Sequence, residues 1–152
     1  MVQKFKKSII KLHQHLDQMS CLNLLFLRIV VGFVFLEAGL GKLKNLQQVT
    51  EYFQSIGIPY AHLQAPFVAS VEFFGGAAIL LGFLTRFVSI PLAFTMVVAL
   101  VTAKKADINS VSDLFGMSEF LYIGFFTTLL MNGAGFFSVD SYLKRKVFKI
   151  MN

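Results

Sequence analysis

The chain has 152 residues, of which 56% are hydrophobic and only 14% are charged. A soluble domain usually carries about 25% charged residues and less than half apolar ones, so this composition excludes disordered, fibrous and nucleic-acid-binding proteins and leaves a small integral membrane protein. The net charge of +6 is concentrated at the two ends of the chain, which is typical of segments beside an anionic cytoplasmic leaflet.

Residues 1–20 predict an amphipathic helix that lies in the cytoplasmic interface. Apolar residues recur there at steps of four and three, with lysines between them. They are Phe5, Ile9, Leu12, Leu16 and Met19. We therefore divide the chain into this interfacial helix, a membrane domain over residues 21–143 and a basic cytoplasmic tail over residues 144–152.

Four apolar windows follow, each near the 20 residues that a helix needs to cross about 30 Å of hydrocarbon. They are Leu22–Gly41, Leu63–Leu84, Phe87–Ala103 and Phe120–Phe137. The sequence therefore predicts an all-α protein, an integral membrane four-helix bundle.

Two connections between these windows differ in character. After the first window, apolar residues at helical spacing predict a short interfacial helix that ends at Gly57 and Pro59; they are Leu46, Val49, Phe53 and Ile56. The connection over residues 104–118 is polar and is expected to be irregular.

The distribution of basic residues predicts the orientation. With both termini in the cytoplasm, the cytoplasmic parts hold nine Lys or Arg, namely Lys4, Lys6, Lys7, Lys11, Arg86, Lys144, Arg145, Lys146 and Lys149. The opposite side holds four, namely Lys42, Lys44, Lys104 and Lys105. This excess predicts a multi-pass protein of the bacterial cytoplasmic (inner) membrane with both termini inside, and basic ends that contact anionic phospholipid.

Ionisable groups within apolar windows are the most informative positions, because a charge in the bilayer centre costs at least about 2.5–3.5 kcal/mol. From the helix rise, Glu37 lies about 20 Å and Glu72 about 18 Å from the inner surface, while Lys42 lies about 27 Å from it and leans back toward both. We therefore expect these three side chains to form one cluster. Arg28, Arg86 and Asp140 form a second, inner layer.

Two carboxylates that share one lysine cannot both stay ionised cheaply, so we expect one of Glu37 and Glu72 to be protonated or to exchange protons with a ligand. Gly75 and Gly76 lie one turn from Glu72 and would expose backbone to a ligand or to a neighbouring helix. In the structural alternative, the charges are pairs that set helix register, and Arg28 extends to phospholipid headgroups.

Other cofactor classes have no support in the sequence. A single cysteine, Cys21, excludes an iron–sulfur or cysteine-based zinc site made by one chain. The sequence contains no Walker loop, no dinucleotide fingerprint and no pair of histidines on facing windows for haem. We therefore expect no metal, haem or nucleotide.

A series of residues in order resembles the DoxX family of small four-span bacterial membrane proteins, over roughly residues 23–143. The series comprises Arg28, Gly32, Gly39, Lys42, Glu72, Gly75, Gly76, Gly82, Thr85, Arg86, Met96, Ala99, Gly133, Ala134, Gly135, Ser138 and Asp140. Phe136 departs from the family pattern, since many relatives carry a basic residue there, which puts any headgroup or anion contact at that point in doubt.

The resemblance implies a membrane redox partner and quinone as the small molecule, because members are similar to the small subunit of a thiosulfate:quinone oxidoreductase. Under this hypothesis the chain is an accessory or quinone-contacting subunit without a redox centre of its own. Glu72, Lys42 and Glu37 are then the candidate catalytic residues, and Gly75, Gly76, Arg28, Arg86 and Asp140 the candidate cofactor-binding residues.

Two alternatives stay open from the sequence. One is a protein that binds or transports a small molecule or a metal complex, with the same charges along its path. The other is a membrane scaffold or maturation factor that acts through its apolar faces. Either is compatible with a homo-oligomer, and none of the three involves nucleic acid.

Overall fold

The structure is a computed structural model, which describes the backbone of residues 2–151 and the side chains of residues 21–146. Within this part of the chain all regular structure is helical. Seven α-helices are present: α1 (Val2–Lys44), α2 (Leu46–Ser55), α3 (Ala61–Leu81), α4 (Thr85–Val101), α5 (Val111–Gly116), α6 (Ser118–Asn132) and α7 (Val139–Met151). A single 3₁₀ turn, Lys105–Asp107, precedes α5.

The four predicted windows correspond to α1, α3, α4 and α6, so the helical bundle predicted from composition is confirmed. The segment Cys21–Lys44 of α1 and the whole of α3 are long and apolar enough to span a membrane, while α4 is an apolar helix of 17 residues. Helix α6 ends at Asn132, five residues before the predicted limit at Phe137. It ends there because Gly133 and Gly135 adopt positive φ values of 77° and 75°, which a continuing helix does not allow.

The N-terminal segment is helical, as predicted, but its backbone continues into the first apolar window without a break at residue 20. The side chains of its predicted apolar face, Phe5 to Met19, lie outside the described residues, as does that of Lys149. The helix predicted after the first window is confirmed as α2, while its position at the membrane interface stays a prediction.

The connection over residues 104–118 is more ordered than expected, since it contains α5. The Ser110 hydroxyl accepts a hydrogen bond from the Asp113 N–H, and the Asp113 carboxylate accepts one from the Ser110 N–H, which together form a capping box. The hydrogen bonds from Ser110 and Asn109 hold the pKa of Asp113 below its usual value. The prediction of an irregular loop was therefore wrong for residues 111–116.

The bundle consists of two closely packed pairs, α1 with α3 and α4 with α6, and α3 also packs against α4. Glycines allow the α1–α3 contact: a Cβ on Gly39 would overlap the Phe73 nitrogen, and one on Gly32 would lie 2.7 Å from the Leu80 nitrogen. The core lies between the pairs. Its buried apolar residues are Val31, Phe35, Ile79, Leu92, Met96, Phe126 and Leu129.

Candidate functional site

Lys42 and Glu72 form an ion pair inside the bundle. Lys42 lies in the last turn of α1 and Glu72 in the middle of α3, and the Lys42 ammonium donates a hydrogen bond to Oε2 of Glu72. The Glu72 side chain is 2% exposed, whereas that of Lys42 is 32% exposed. A buried carboxylate in a membrane bundle requires such a partner, because neither lipid nor apolar side chains can solvate it.

The ion pair opens onto a cavity of about 410 Å³. Helices α1, α3, α4 and α6 form its walls, and α2 and the segments that follow α2 and α4 contribute the rest. Most of its lining is apolar and aromatic, including Phe35, Phe53, Ile56, Phe67, Phe94, Met96 and Tyr122. Its polar groups include Lys42, Glu72, Gln64, Thr95, Lys104 and Glu119. This combination of apolar walls with a few polar groups is typical of a small-molecule site.

Glu37 does not join this cluster, so the predicted sharing of Lys42 by two carboxylates is wrong. Residues five apart on a helix point about 140° away from each other, and the side chain of Glu37 accordingly faces outward from the bundle, while that of Lys42 faces Glu72. Glu37 is exposed and has no hydrogen-bond or ion-pair partner among residues 21–146. The prediction that Glu37 or Glu72 is protonated rested on their sharing Lys42, so it has no basis in this geometry.

The two glycines beside Glu72 make helix contacts and do not line the cavity. A Cβ on Gly76 would overlap the Leu36 nitrogen of α1, and one on Gly75 would lie 3.0 Å from side-chain atoms of Leu92 on α4. Of the two roles left open for them, contact with a neighbouring helix is the one that the structure shows.

Arg28 lies at the other end of the bundle, near the turn between α3 and α4. Its side chain donates to four backbone carbonyls: Ile79 (3.1 Å) and Leu80 (3.3 Å) in the last turn of α3, and Ala134 and Phe137 (2.8 Å) after α6. It is 2% exposed. The alternative in which Arg28 extends to lipid headgroups is therefore wrong, because the ends of other elements satisfy its donors.

Asp140 and Arg86 lie at the same end as Arg28, as predicted, but they bind backbone groups rather than each other. The Asp140 carboxylate accepts from the N–H groups of Leu84 (2.8 Å) and Thr85 (3.1 Å), and so caps the first turn of α4. Nη2 of Arg86 donates to the Met131 carbonyl at 3.1 Å. A second cavity of about 540 Å³, lined by Arg86, Asp140 and Lys144 among others, opens beside them.

Several cavity residues were not anticipated from the sequence. Tyr122 and Glu119 come from α6, and Lys104 comes from the connection after α4. An edge-to-face contact between Tyr122 and Phe35 of α1 holds α6 at the cavity, and the end of α4 carries Lys104 to it. In the sequence they stand out only as polar side chains in or beside an apolar helix, and polarity does not show where a side chain points. Residues 21–146 contain no group of three His, Cys, Asp or Glu side chains that could hold a metal ion.

The helical bundle, its two helices that are long and apolar enough to span a membrane and the ion pair within it are typical of a small helical membrane protein with an internal polar site. The family model described as DoxX matches residues 23–105, more than half of the chain. The chain belongs to the DoxX family.

Three relatives are similar over most of their length. The protein named "Putative oxidoreductase CatD" of Bacillus subtilis is 30% identical over 121 residues, which cover 78% of this chain and 85% of that protein. "Inner membrane protein YqjF" of Escherichia coli is 33% identical over 134 residues, 86% of this chain and 99% of its own. "Uncharacterized membrane protein Rv3486" of Mycobacterium tuberculosis is 32% identical over 136 residues, which cover 82% of this chain and 83% of that protein. No solved structure matches the chain.

Proposed function

We propose that this DoxX-family membrane protein is an accessory subunit of a quinone-linked membrane oxidoreductase and binds a quinone headgroup in the cavity beside Lys42 and Glu72. The single observation that carries the proposal is an ion pair, with a buried Glu72 and a partly exposed Lys42, that lines an otherwise mostly apolar cavity of about 410 Å³. The relative named as an oxidoreductase supports the redox context, at 30% identity.

The cavity fits a quinone headgroup in size and in chemistry. Its volume lies within the range of about 300–1,000 Å³ that is common for small-molecule sites. A quinone presents a flat apolar ring and carbonyl oxygens that only accept hydrogen bonds. Phe35, Phe67 and Phe94 supply apolar surface, and the Lys42 ammonium is a donor at the cavity wall.

The roles of the two charged residues follow from their contacts. Glu72 holds the Lys42 ammonium at the wall, and the part of the lysine that remains exposed can donate to a carbonyl oxygen. Nζ of Lys42 can also give a proton to that oxygen, which leaves a neutral amine beside the Glu72 carboxylate until Lys42 takes up a proton from water, so the pair can both orient and protonate an oxygen atom. A bound quinone would supply electron-accepting chemistry coupled to proton uptake, and the proposed redox partner would supply the electrons.

Quinone extraction from purified protein tests this proposal. The wild-type chain, Glu72→Gln and Glu51→Gln are purified in mild detergent, and bound quinone is extracted and quantified. Glu51 is an exposed carboxylate on α2 outside the cavity lining, so its variant is the matched control. We expect quinone in the wild type and in Glu51→Gln, and about ten-fold less in Glu72→Gln, because a lost charge-assisted contact costs about 1.4 kcal/mol or more.

Quinone-dependent oxygen uptake by membranes that hold the same variants gives a second readout, and it should fall only for Glu72→Gln. Wild-type protein that retains no quinone, or equal retention by all three chains, would contradict the proposal. Substrate flux into liposomes that contain this chain alone would favour the transport alternative instead.

We further propose that the protein crosses the cytoplasmic membrane four times with both termini in the cytoplasm, and that its basic ends contact anionic phospholipid. The excess of basic residues at one end of the bundle supports this orientation. The relative from Escherichia coli is named an inner membrane protein. Packing supports the pass count, since Gly32 lies against Leu80 and Gly39 against Phe73, so that α1 and α3 run in opposite directions. The start of α4 likewise meets the end of α6, where Arg86 donates to the Met131 carbonyl.

A further inference from the structure

The outward face of α1 carries a stripe of residues with the spacing of a coiled-coil seam. Its members recur at steps of four and three along the helix: Phe26, Val30, Phe33, Glu37, Leu40 and Lys44. All six are exposed, whereas the opposite face, with Val31, Phe35 and Gly39, packs into the bundle. An average repeat of 3.5 residues is the spacing at which two helices pack along their length.

Glu37 makes this stripe unlike an ordinary lipid-facing surface. It lies two turns below Lys44 within the apolar segment Cys21–Lys44, and it has no partner among residues 21–146. The cations of the Cys21–Lys44 segment are not its partners, because Lys42 is paired with Glu72, Arg28 is bonded to carbonyls and Lys44 lies two turns away. Ionisable side chains that face bare lipid are rare, and those within spans almost always meet a protein partner or a water-filled cavity.

We propose that a second copy of this chain covers the stripe, so that two α1 helices pack in parallel and their Glu37 side chains meet. Two copies inserted in the same orientation bring equivalent positions together. A carboxyl group is self-complementary, because it donates a hydrogen bond when protonated and accepts one in either state. A polar residue within an apolar seam sets register and the number of strands. Glu37 is that residue, since the other charged member of the stripe, Lys44, lies in the last turn of α1 at the end of the apolar segment.

The neighbourhood of Glu37 permits this approach. Gly41 lies one turn further along α1, and a Cβ placed on it would have nothing within 4 Å. That side of the helix is therefore open to a second backbone, and small residues allow close contact between membrane helices. Because both Glu37 residues lie in the contact between the two α1 helices, their side chains can then come within hydrogen-bonding distance.

Disulfide cross-linking in native membranes tests the arrangement. In a Cys21→Ser background, Phe33→Cys places a thiol on the stripe one turn from Glu37. Phe74→Cys places one on the outward face of α3, where Phe74 is similarly exposed, and is the matched control. On oxidation, we expect Phe33→Cys to give a species of twice the chain mass and Phe74→Cys to give little. Equal yields, or a cross-linked species of any other mass for Phe33→Cys, would overturn the proposal.

The role of Glu37 itself is tested by two further changes in the Phe33→Cys background. Glu37→Gln keeps a side chain that both donates and accepts and should preserve cross-linking. Glu37→Leu removes the hydrogen bond and should lower the yield by about three- to ten-fold, the range expected for one polar contact between membrane helices. An unchanged yield with Leu would show that Glu37 does not hold the seam. Quinone retention, which depends on Glu72, is measured separately and need not change in any of these variants.

Discussion

Arg28 shows how one side chain can connect three elements of a membrane bundle. The last carbonyls of a helix have no partner within it, and Arg28 satisfies two of these at the end of α3. It also donates to carbonyls of the non-helical segment after α6. Gly82 makes room for it, since a Cβ there would lie 2.8 Å from the guanidinium carbon.

Replacement of Arg28 by Met should therefore destabilise the protein strongly. Met keeps the apolar stem but removes every donor, so the carbonyls of Leu80, Ala134 and Phe137 lose the Arg28 bond and that of Ile79 keeps only the Gly82 N–H. We expect a loss of about 3 kcal/mol or more in the free energy of unfolding, since each bond from a charged donor contributes about 1.5–3 kcal/mol. Thermal unfolding in detergent would measure it, with Arg86→Met as the control, because Arg86 is exposed and makes one such bond. Equal losses in the two variants would contradict this account.

At the residue scale, the sequence identified which charges matter but only part of their arrangement. The pairing of Lys42 with Glu72 followed from helix rise and from the direction in which side chains lean. The position of Glu37 could not be derived from depth alone, because depth ignores rotation about the helix axis. The sequence placed Arg28 in a layer with Arg86 and Asp140 but did not predict its bonds, since no sequence pattern shows which backbone carbonyls a fold leaves unpaired.

At the scale of elements, glycines determine how closely α1 and α3 pack. Gly32, Gly39 and Gly76 each lie where an added Cβ would reach the backbone of the other helix. This close approach also brings the end of α1 beside the middle of α3, where Lys42 meets Glu72. The geometry of the ion pair therefore depends on residues that carry no functional group.

Gly76→Ala should disturb this packing, whereas Gly124→Ala on α6 should not. The new methyl group at position 76 would overlap the Leu36 nitrogen, and a backbone atom cannot move aside as a flexible side chain can. We expect a loss of about 1–3 kcal/mol in unfolding free energy, as for other overpacked sites. At position 124 nothing lies within 4 Å of the added Cβ. Chemical unfolding in mixed micelles would compare them, and similar stability of both variants would argue against glycine-limited packing.

The existence of the four main helices and of α2 could be predicted from apolar length and period, which are local properties. The end of α6 could not, because the apolar run continues to Phe137 while Gly133 and Gly135 turn the backbone out of the helix. Helix α5 was missed although Ser110 and Asp113 stand at the spacing of a capping box. The polar composition of this segment favoured a loop, whereas the spacing of Ser110 and Asp113 correctly indicates the start of a helix.

At the scale of the whole molecule, the two shorter helices must still cross the bilayer if the pass count is four. Helices α4 and α6 measure about 26 and 23 Å at 1.5 Å per residue, less than about 30 Å of hydrocarbon. Non-helical backbone at membrane depth is tolerated where protein groups satisfy it. The segment after α6 meets that condition, because Arg28 binds the carbonyls of Ala134 and Phe137 and Arg145 binds that of Phe136.

The proposed orientation can be tested with thiol labelling of intact cells. In a Cys21→Ser background, Ser112→Cys places a thiol on exposed α5, and Lys144→Cys places one on exposed α7. Four crossings with both termini inside put these positions on opposite sides of the membrane, since the bundle separates α5 from α7 by one crossing. A membrane-impermeant maleimide should label Ser112→Cys in intact cells and Lys144→Cys only after permeabilisation. The reverse pattern would show inverted insertion, and labelling of both in intact cells would show that α6 does not cross.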